Sequence, residues 1–356
     1  MRLLIATDAW HPQVNGVVRT YERLREELAV LGCDSDILSP RDYRTMPCPT
    51  YPEIRLALAS LDDIARRIDS LRPDFIHIAT EGPLGLMARY YCRKHRRPFT
   101  TSYHTRFPEY LSARLPVPQS WGYAMQRRFH NASSGMMVAT PSLARVLRRR
   151  GFRRLMQWGR GVDTALFTPD LRRRRSSDRP TFLYVGRIAV EKNIAAFLDL
   201  DLPGRKVVIG DGPQLGALKS AYPQVHFAGL LAGRALATAY ANADVFVFPS
   251  LTDTFGNVLL EALASGVPVA AFPVTGPSDV IGAAPVGVLD TDLRKAALRA
   301  LDVDRNACRA HARRFDWGVS ARQFLDNVEK AERRDARALV RAEKKTRILV
   351  RVSESP

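Results

Sequence analysis

The segment PSLTDTFGNVLLEALASGVPVAAFPV, residues 249–274, sits directly behind the apolar run DVFVF, residues 244–248. A short, unbroken apolar run bounded by turn residues reads as a strand covered on both faces. Pro249, Ser250, Asp253 and Gly256 then mark a loop. A helix is predicted to begin near Gly256 or Asn257 and to run over 258–265, with a second strand at 267–271. Strand, loop, helix and strand in that order form the unit from which parallel sheets are built. The loop places Asp253 and the amides of Phe255, Gly256 and Asn257 at a strand end and a helix N-terminus, where amides and the helix dipole favour anions and polarised oxygens. Glu261 follows eight positions after Asp253. Two carboxylates so spaced can grip two parts of one polyhydroxy ligand. An acid in a first helical turn is also an ordinary feature of a solvated helix.

Outward from this segment the same unit recurs. Strands are expected at 3–7, 35–39, 75–79, 99–103 and 135–139, and helices at 18–31, 61–71, 84–95 and 141–150. The pattern then restarts. Strands are expected at 181–185, 206–209, 225–227, 244–248 and 267–271, and helices at 193–200, 215–222, 233–241, 258–265 and 293–301. Between the halves lies PDLRRRRSSDRP, residues 169–180, with Pro at both ends, five Arg and Leu171 as its one apolar residue. This is a linker composition. The reading is an α/β chain of two doubly wound domains, residues 1–170 and 171–330, with the last helix of the second able to pack back on the first. A basic tail, 331–356, follows that is either helical with a weak apolar stripe or disordered. In such sheets ligands bind at the carboxyl ends of the strands, so two domains facing across a cleft can hold one substrate each.

The chain has 356 residues, enough for two domains, and its 46% hydrophobic and 25% charged content excludes a disordered, collagenous or coiled-coil protein. Cys33, Cys48, Cys92 and Cys308 form no C-x-x-C pair, which indicates neither a zinc site nor a redox dithiol and points to a reducing cytoplasm. The opening MRLLIATDAWHP is too short in apolar residues for a signal peptide. The longest membrane-span candidate, FGNVLLEALASGVPVAAFPV, is interrupted by Glu261. Neither half contains G-x-G-x-x-G, which disfavours a nicotinamide dehydrogenase. Two D-x-D segments, Asp34-Ser35-Asp36 and Asp290-Thr291-Asp292, read as structural: the first opens a strand and the second caps a helix. No metal site is expected.

Charge is the unusual quantity. Lys and Arg number 54 against 36 Asp and Glu, a net charge of +18. Residues 1–170 alone carry 26 basic and 16 acidic residues, net +10. Residues 144–160 hold seven Arg and no acid, and SWGYAMQRRFH, residues 120–130, sets aromatics beside Arg127 and Arg128. Basic and aromatic residues together suit an anionic bilayer surface. They also suit nucleic acid, but no recognition motif supports that reading. An Arg-rich composition without a partner is the plain alternative.

The 249–274 segment resembles the signature of glycosyltransferase family 4, enzymes of the GT-B fold. The match runs through Phe255, Gly256, Leu260, Glu261, Ala262, Ala264, Gly266, Pro268 and Val269, with Asp253 standing where the family usually has Glu. FLYVGRIAVEKN, residues 182–193, resembles the family's strand followed by G-R-x-x-x-x-K. VVIGDGPQL, residues 207–215, resembles its G-x-G-P turn, and FAGLL, residues 227–231, its nucleotide-base segment. TDAWHPQVNGVVRT resembles the family's opening loop and TTSYHTRFPEY its acceptor-side histidine. GRGVDTALFTP resembles the N-G-V-D segment, with Arg160 in place of Asn.

The resemblance implies a retaining transferase that takes a nucleotide-diphosphate sugar, a UDP- or GDP-sugar, as co-substrate and needs no cofactor. It implies that Arg187 and Lys192 clamp the diphosphate and that Asp253 orients the donor sugar. Glu261 would bind the ribose, and His104 would contact the transferred sugar from the acceptor side. Gly16, Val17, Gly186, Gly210, Leu230, Leu231, Phe255, Gly256, Asn257 and Val258 would complete the donor site. The H-T-x-F-P-E-Y and D-T-F-G-N-V segments are similar to the branch that makes glycosyl- or sulfoquinovosyl-diacylglycerols, with mannosyltransferases close by. This implies a lipid acceptor and a peripheral position on the cytoplasmic face of the inner membrane. The alternatives are a nucleotide-sugar 2-epimerase of similar fold, a mannosyltransferase with a soluble or polysaccharide acceptor, and a basic RNA- or membrane-binding protein with a degenerate enzyme fold.

Overall fold

The computed structural model describes residues 1–13, 15–48, 51–112, 117–173 and 179–353. Side chains are not described at 51–54, 110–111 and 337–353. The first half carries β1 (Arg2–Ala6), β2 (Asp34–Leu38), β3 (Arg44–Cys48), β4 (Tyr51–Leu58), β5 (Phe75–Ile78), β6 (Thr100–Tyr103), β7 (Gly135–Val138) and β8 (Leu155–Gln157). Its helices are α1 (Gly16–Val30), α2 (Leu61–Leu71), α3 (Pro83–Lys94), α4 (Phe107–Ser112), α5 (Gln119–His130) and α6 (Pro141–Arg149). The second half carries β9 (Thr181–Val185), β10 (Arg205–Ile209), β11 (His226–Gly229), β12 (Val245–Phe248), β13 (Val269–Ala271) and β14 (Gly287–Leu289). Its helices are α7 (Ala195–Leu198), α8 (Leu215–Ala221), α9 (Gly233–Ala241), α10 (Asn257–Ala264), α11 (Pro277–Val280), α12 (Leu293–Ala300) and α13 (Arg305–Ala312). A last helix, α14, runs from Trp317 to Ser353.

Two six-stranded parallel sheets result, ordered β2-β1-β5-β6-β7-β8 and β11-β10-β9-β12-β13-β14. Strands β6, β7, β9, β12 and β13 are buried along their whole length, as their unbroken apolar or small-residue runs require when helices cover both faces. Local chemistry sets the helix starts. Asn15 accepts from the amides of Val17 and Val18 to begin α1. Ser60 and Asp63 form a reciprocal capping box on α2, and Thr140, Asp292 and Asp304 cap α6, α12 and α13.

In the first sheet the strand order reverses at β1, which lies between β2 and β5. In the second it reverses at β9, between β10 and β12. A crevice opens at the carboxyl ends of the strands at such switch points, because the flanking helices lie on opposite faces there. The loops after β1, β9 and β12 therefore converge on the cleft.

The structure departs from the sequence expectation in several places. The antiparallel hairpin β3–β4, the short edge strands β8 and β14, and helices α5 and α13 were not foreseen. The strand expected at 225–227 is shifted to His226–Gly229, where the pairing with β10 slips between Val208 and Ile209. The tail after residue 331 continues a helix that begins at Trp317. Ala321, Phe324 and Val328 of α14 pack with Tyr21, Trp158 and Leu24 in the core of the first half. Ser320, Gln323 and Asn327 bond to the 157–159 segment. The chain thus leaves the second sheet and closes on the first. Residues 174–178 of the expected linker and 354–356 of the expected tail lie outside the described residues.

Candidate active site

The second-half wall is built from the loops after β9 and β12. Behind Gly186 comes Arg187, then one helical turn over Val190–Lys192. The turn is tied to the neighbouring loop twice: Asn193 donates to the Pro249 carbonyl at 3.1 Å, and the Lys192 ammonium meets Asp253 Oδ2 at 2.9 Å. The other Asp253 oxygen accepts from the amides of Thr254 at 2.8 Å and Phe255 at 3.3 Å. Burial alone would raise this carboxyl, but Lys192 and the two amides hold it below the usual carboxylate range, so Asp253 is an anion. Its partners thus include the Phe255 amide that the sequence reading offered to a ligand, and that amide is already committed. The amides of Gly256 and Asn257 have no partner among the described residues. Gly256 stands at φ 84°, a left-handed conformation that aims the start of α10 at the cleft and favours glycine. Gly210 lies so close to β9 that a Cβ would stand 1.9 Å from the Gly186 carbonyl, so only glycine lets the two turns meet. Leu230 is exposed and Leu231 packs on the core at the far end of this wall.

Glu261, one turn into α10, is only 8% exposed. Its Oε2 accepts from the Tyr240 hydroxyl at 3.0 Å and its Oε1 faces the Arg19 guanidinium at 3.5 Å. Burial pushes its carboxyl up, and Arg19 and Tyr240 oppose that rise.

The first-half wall is different in kind. His104 follows β6. Arg160 Nη2 donates to His104 Nδ1 at 3.3 Å. A guanidinium can only donate, so Nδ1 is the bare nitrogen and Nε2 carries the proton, which it gives to the Tyr21 hydroxyl at 2.8 Å. Tyr21 in turn donates to His77 Nε2 at 2.9 Å, and His77 Nδ1–H reaches Thr100 Oγ1 at 2.8 Å. Burial, then the Arg160 charge and the neighbouring histidines, hold His104 well below its ordinary range and His77 down at about 3. Both rings are neutral. Arg160 itself stacks over Trp158 at 4.1 Å and donates to the Trp158 and Gly159 carbonyls.

The walls meet. Thr254 Oγ1 donates to the His104 carbonyl at 2.8 Å, Arg106 Nη2 to Thr275 Oγ1 at 2.8 Å, and the Ser142 amide to Asp279 at 3.3 Å. A Cβ on Gly16 would stand 3.7 Å from the Asn257 side chain, so the start of α1 faces the start of α10, whereas Val17 packs on the core of the first half. Of the five expected catalytic residues, His104, Arg187, Lys192 and Asp253 lie in the loops behind strand ends and Glu261 one turn into α10, all on this cleft. Sequence reasoning missed Arg19, Tyr21, His77 and Tyr240. Arg19 could have been suspected, one turn after Gly16 in NGVVR. The others come from strands and helices whose buried polar residues carry no local signal.

Arg160 does not belong to the basic surface block expected at 144–160: it is 6% exposed, whereas Arg145, Arg148, Arg149, Arg150, Arg153 and Arg154 are exposed. At 120–130, Tyr123 and Phe129 are buried, and Trp121, 72% exposed, is the aromatic left outside. Asp36 lies 3.7 Å from Arg2. Asp290 pairs with Lys295 at 2.7 Å, and Asp292 caps α12.

Residues 14–166 match the family model Glycosyltransferase Family 4, and residues 179–302 match Glycosyl transferases group 1. A GDP-mannose-dependent alpha-mannosyltransferase of Mycobacterium tuberculosis is 31% identical over 81% of this chain and 83% of its own length. An alpha-monoglucosyldiacylglycerol synthase of Streptococcus pneumoniae is 28% identical over 85% and 78%. Among solved structures, a sucrose-phosphate synthase from Thermosynechococcus elongatus superposes with a TM-score of 0.74 at 20% identity, covering 91% of this chain and 97% of that one. With two parallel sheets whose switch-point loops close on one cleft, the chain has the GT-B fold and belongs to glycosyltransferase family 4.

Proposed function

We propose that the protein transfers a sugar, with retention of configuration, from a GDP- or UDP-sugar to a membrane lipid. The observation that carries this is the pairing of Lys192 with Asp253 at the second switch point, beside Arg187 and the open amides of Gly256 and Asn257. Fixed cations and amides at that place neutralise the charge that develops on a leaving diphosphate. Glu261, buried and held by Tyr240, suits the paired hydroxyls of a ribose. Charge neutralisation then falls to protein cations. Asp290 and Asp292 are committed to Lys295 and a helix cap, and Asp36 lies beside Arg2, which supports a metal-independent reaction.

Retention has its own support. The Nδ1 lone pair of His104 is occupied by Arg160 and its Nε2 proton is given to Tyr21, so this ring is a poor base for the acceptor hydroxyl. The leaving phosphate oxygen, on the same face of the sugar, remains the natural proton acceptor.

The first domain would hold the acceptor. Outside its cleft it presents Leu86 and Tyr90 of α3, Trp121 and Met125 of α5, and Arg148, Arg149 and Arg150, all exposed. The first two helices are joined by Arg89, which donates to the Phe129 and Arg128 carbonyls. Exposed apolar and basic side chains together suit an anionic leaflet, at about 1 kcal/mol per basic residue near the surface. No helix among the described residues is long and apolar enough to cross a membrane. The mannosyltransferase relative favours GDP-mannose as donor, and the diacylglycerol-synthase relative favours a glycerolipid acceptor.

The test is transfer from GDP-mannose and UDP-glucose to vesicles of neutral lipid, with and without phosphatidylglycerol, in buffer and in EDTA. Expected are a glycolipid with the donor's α-configuration by NMR, full activity in EDTA, and flotation with anionic vesicles that salt reverses. An inverted product or loss of activity restored by manganese would overturn the corresponding part.

A further inference from the structure

The first turn of α1 and the first turn of α10 face each other across the cleft, and one side chain bridges them. Arg19 extends from α1, in the first domain, to within 3.5 Å of Glu261 on α10, in the second. The pairing is lopsided. Glu261 is buried and anchored by Tyr240 at 3.0 Å, whereas the Arg19 side chain is 37% exposed and has Glu261 as its one partner among the described residues. Glu261 is therefore the fixed member and Arg19 the movable one. The geometry around Arg19 is cationic and hydrogen-bond-donating: Gly16 opens α1 against Asn257, the Gly256 and Asn257 amides start α10, and Lys192 sits on Asp253 in the adjoining loop.

On the donor-site reading above, the ribose hydroxyls compete with Arg19 for the same carboxylate. We propose that Arg19 is a donor-binding residue supplied by the first domain: it yields Glu261 to the ribose and turns its guanidinium onto the diphosphate. A long, flexible side chain one turn from the helix start has the reach for both positions, and a guanidinium suits phosphate oxygens as well as a carboxylate. The exchange costs little charge separation, because the diphosphate brings the anion that replaces Glu261 as partner. It also ties the two domains to the same ligand, the base and ribose gripped by the second and the diphosphate shared with the first. Nucleotide binding then favours the closed arrangement in which α1 meets α10.

The roles separate by ligand. A nucleoside carries the ribose but no phosphate; a nucleoside diphosphate carries both. Calorimetric titration of the full chain with guanosine and GDP, and with uridine and UDP, compares wild type, Arg19→Gln and Arg19→Lys. Arg19→Gln should weaken the diphosphate by about tenfold or more, as expected for one lost charge-assisted hydrogen bond, while leaving the nucleoside as tight or tighter. Arg19→Lys should recover part of the diphosphate affinity. Equal losses for nucleoside and diphosphate would show that Arg19 only orients Glu261. Unchanged diphosphate affinity would remove it from the donor site. Either result overturns this inference alone. Failure of the wild type to bind GDP or UDP would overturn the donor-site reading, and this inference with it.

Discussion

On the second-domain wall, Lys192 meets Asp253 at 2.9 Å with both side chains still touching solvent. On the first-domain wall, half-buried His104 leads through Tyr21 to His77, and these last two are fully closed off behind Trp158 and Phe324. Solvent access explains the contrast. An ion pair at the rim of a cleft can exchange its partner for an anionic ligand at small cost. The sealed Tyr21 and His77 cannot take up charge without a buried-charge cost, so they fix the shape and tautomer of the histidine in front of them instead. One wall suits charge that appears and leaves during a reaction. The other holds a histidine in one orientation while that happens.

The largest effect that would break this comparison lies on the ionic wall. Arg187→Ala or Lys192→Ala should lower kcat by about 100-fold, by analogy with removal of one preorganised donor to a developing anion. Both residues are partly exposed, so the melting temperature should hold within a few degrees. Near wild-type turnover in either variant would remove that residue from the chemistry.

Asp253→Asn separates charge from shape on the same wall. Asn can still accept from the Thr254 and Phe255 amides, so the loop should persist while the anion facing Lys192 is lost. Turnover should fall about tenfold, the worth of one charge-assisted hydrogen bond, less than for loss of Lys192 itself. A fall as large as that for Lys192→Ala would mean that Asp253 acts on the substrate rather than on the lysine.

The smallest effect on catalysis and the sharpest on stability belongs to the neutral wall. His77 is held at about 3 in the folded protein, against 6.5 for a free histidine. Its folded-state pKa is depressed, so the unfolded chain binds the extra proton first. The stability this group contributes is present above pH 6.5 and is lost as pH falls from 6.5 toward 3. At pH 5 the loss from His77 is on the order of 2 kcal/mol. His77→Gln, which cannot titrate, should flatten the decline in urea-unfolding stability between pH 7 and pH 5 and leave transfer near its wild-type rate at pH 7. An unchanged pH slope would show that His77 is not buried neutral.

Much of this molecule is legible locally. Unbroken apolar runs such as TFLYV at 181–185 and VFVF at 245–248 can only be strands with both faces covered. Their alternation with capped helices dictates parallel sheets, and two such series make two domains. The spacing from Asp253 to Glu261, and Gly186 directly after β9, put the candidate site residues of the second half at a strand end or a helix start without any knowledge of tertiary contacts. Edge strands of three residues escaped, because so short a run carries no period to read; the β3–β4 hairpin escaped because Pro47 and Pro52 within its strands argue against a strand.

The sequence by itself determined the central strands of the two sheets and the loops that carry His104, Arg187 and Asp253, since strand burial, capping and turn chemistry act over a few neighbouring positions. Only the tertiary structure decided how those residues are spent. Arg160 looked like one more arginine of a basic surface block, yet packing placed it under the cleft against Trp158, where its donors set the tautomer of His104. That the last helix can pack back on the first domain was expected, but only the structure shows that Phe324 and Val328 do so, closing the core of the opposite half. Arg19 and Glu261 are 242 residues apart in the chain and meet because two helix starts face each other. Such pairings depend on long-range closure of the two domains, and no local pattern encodes them.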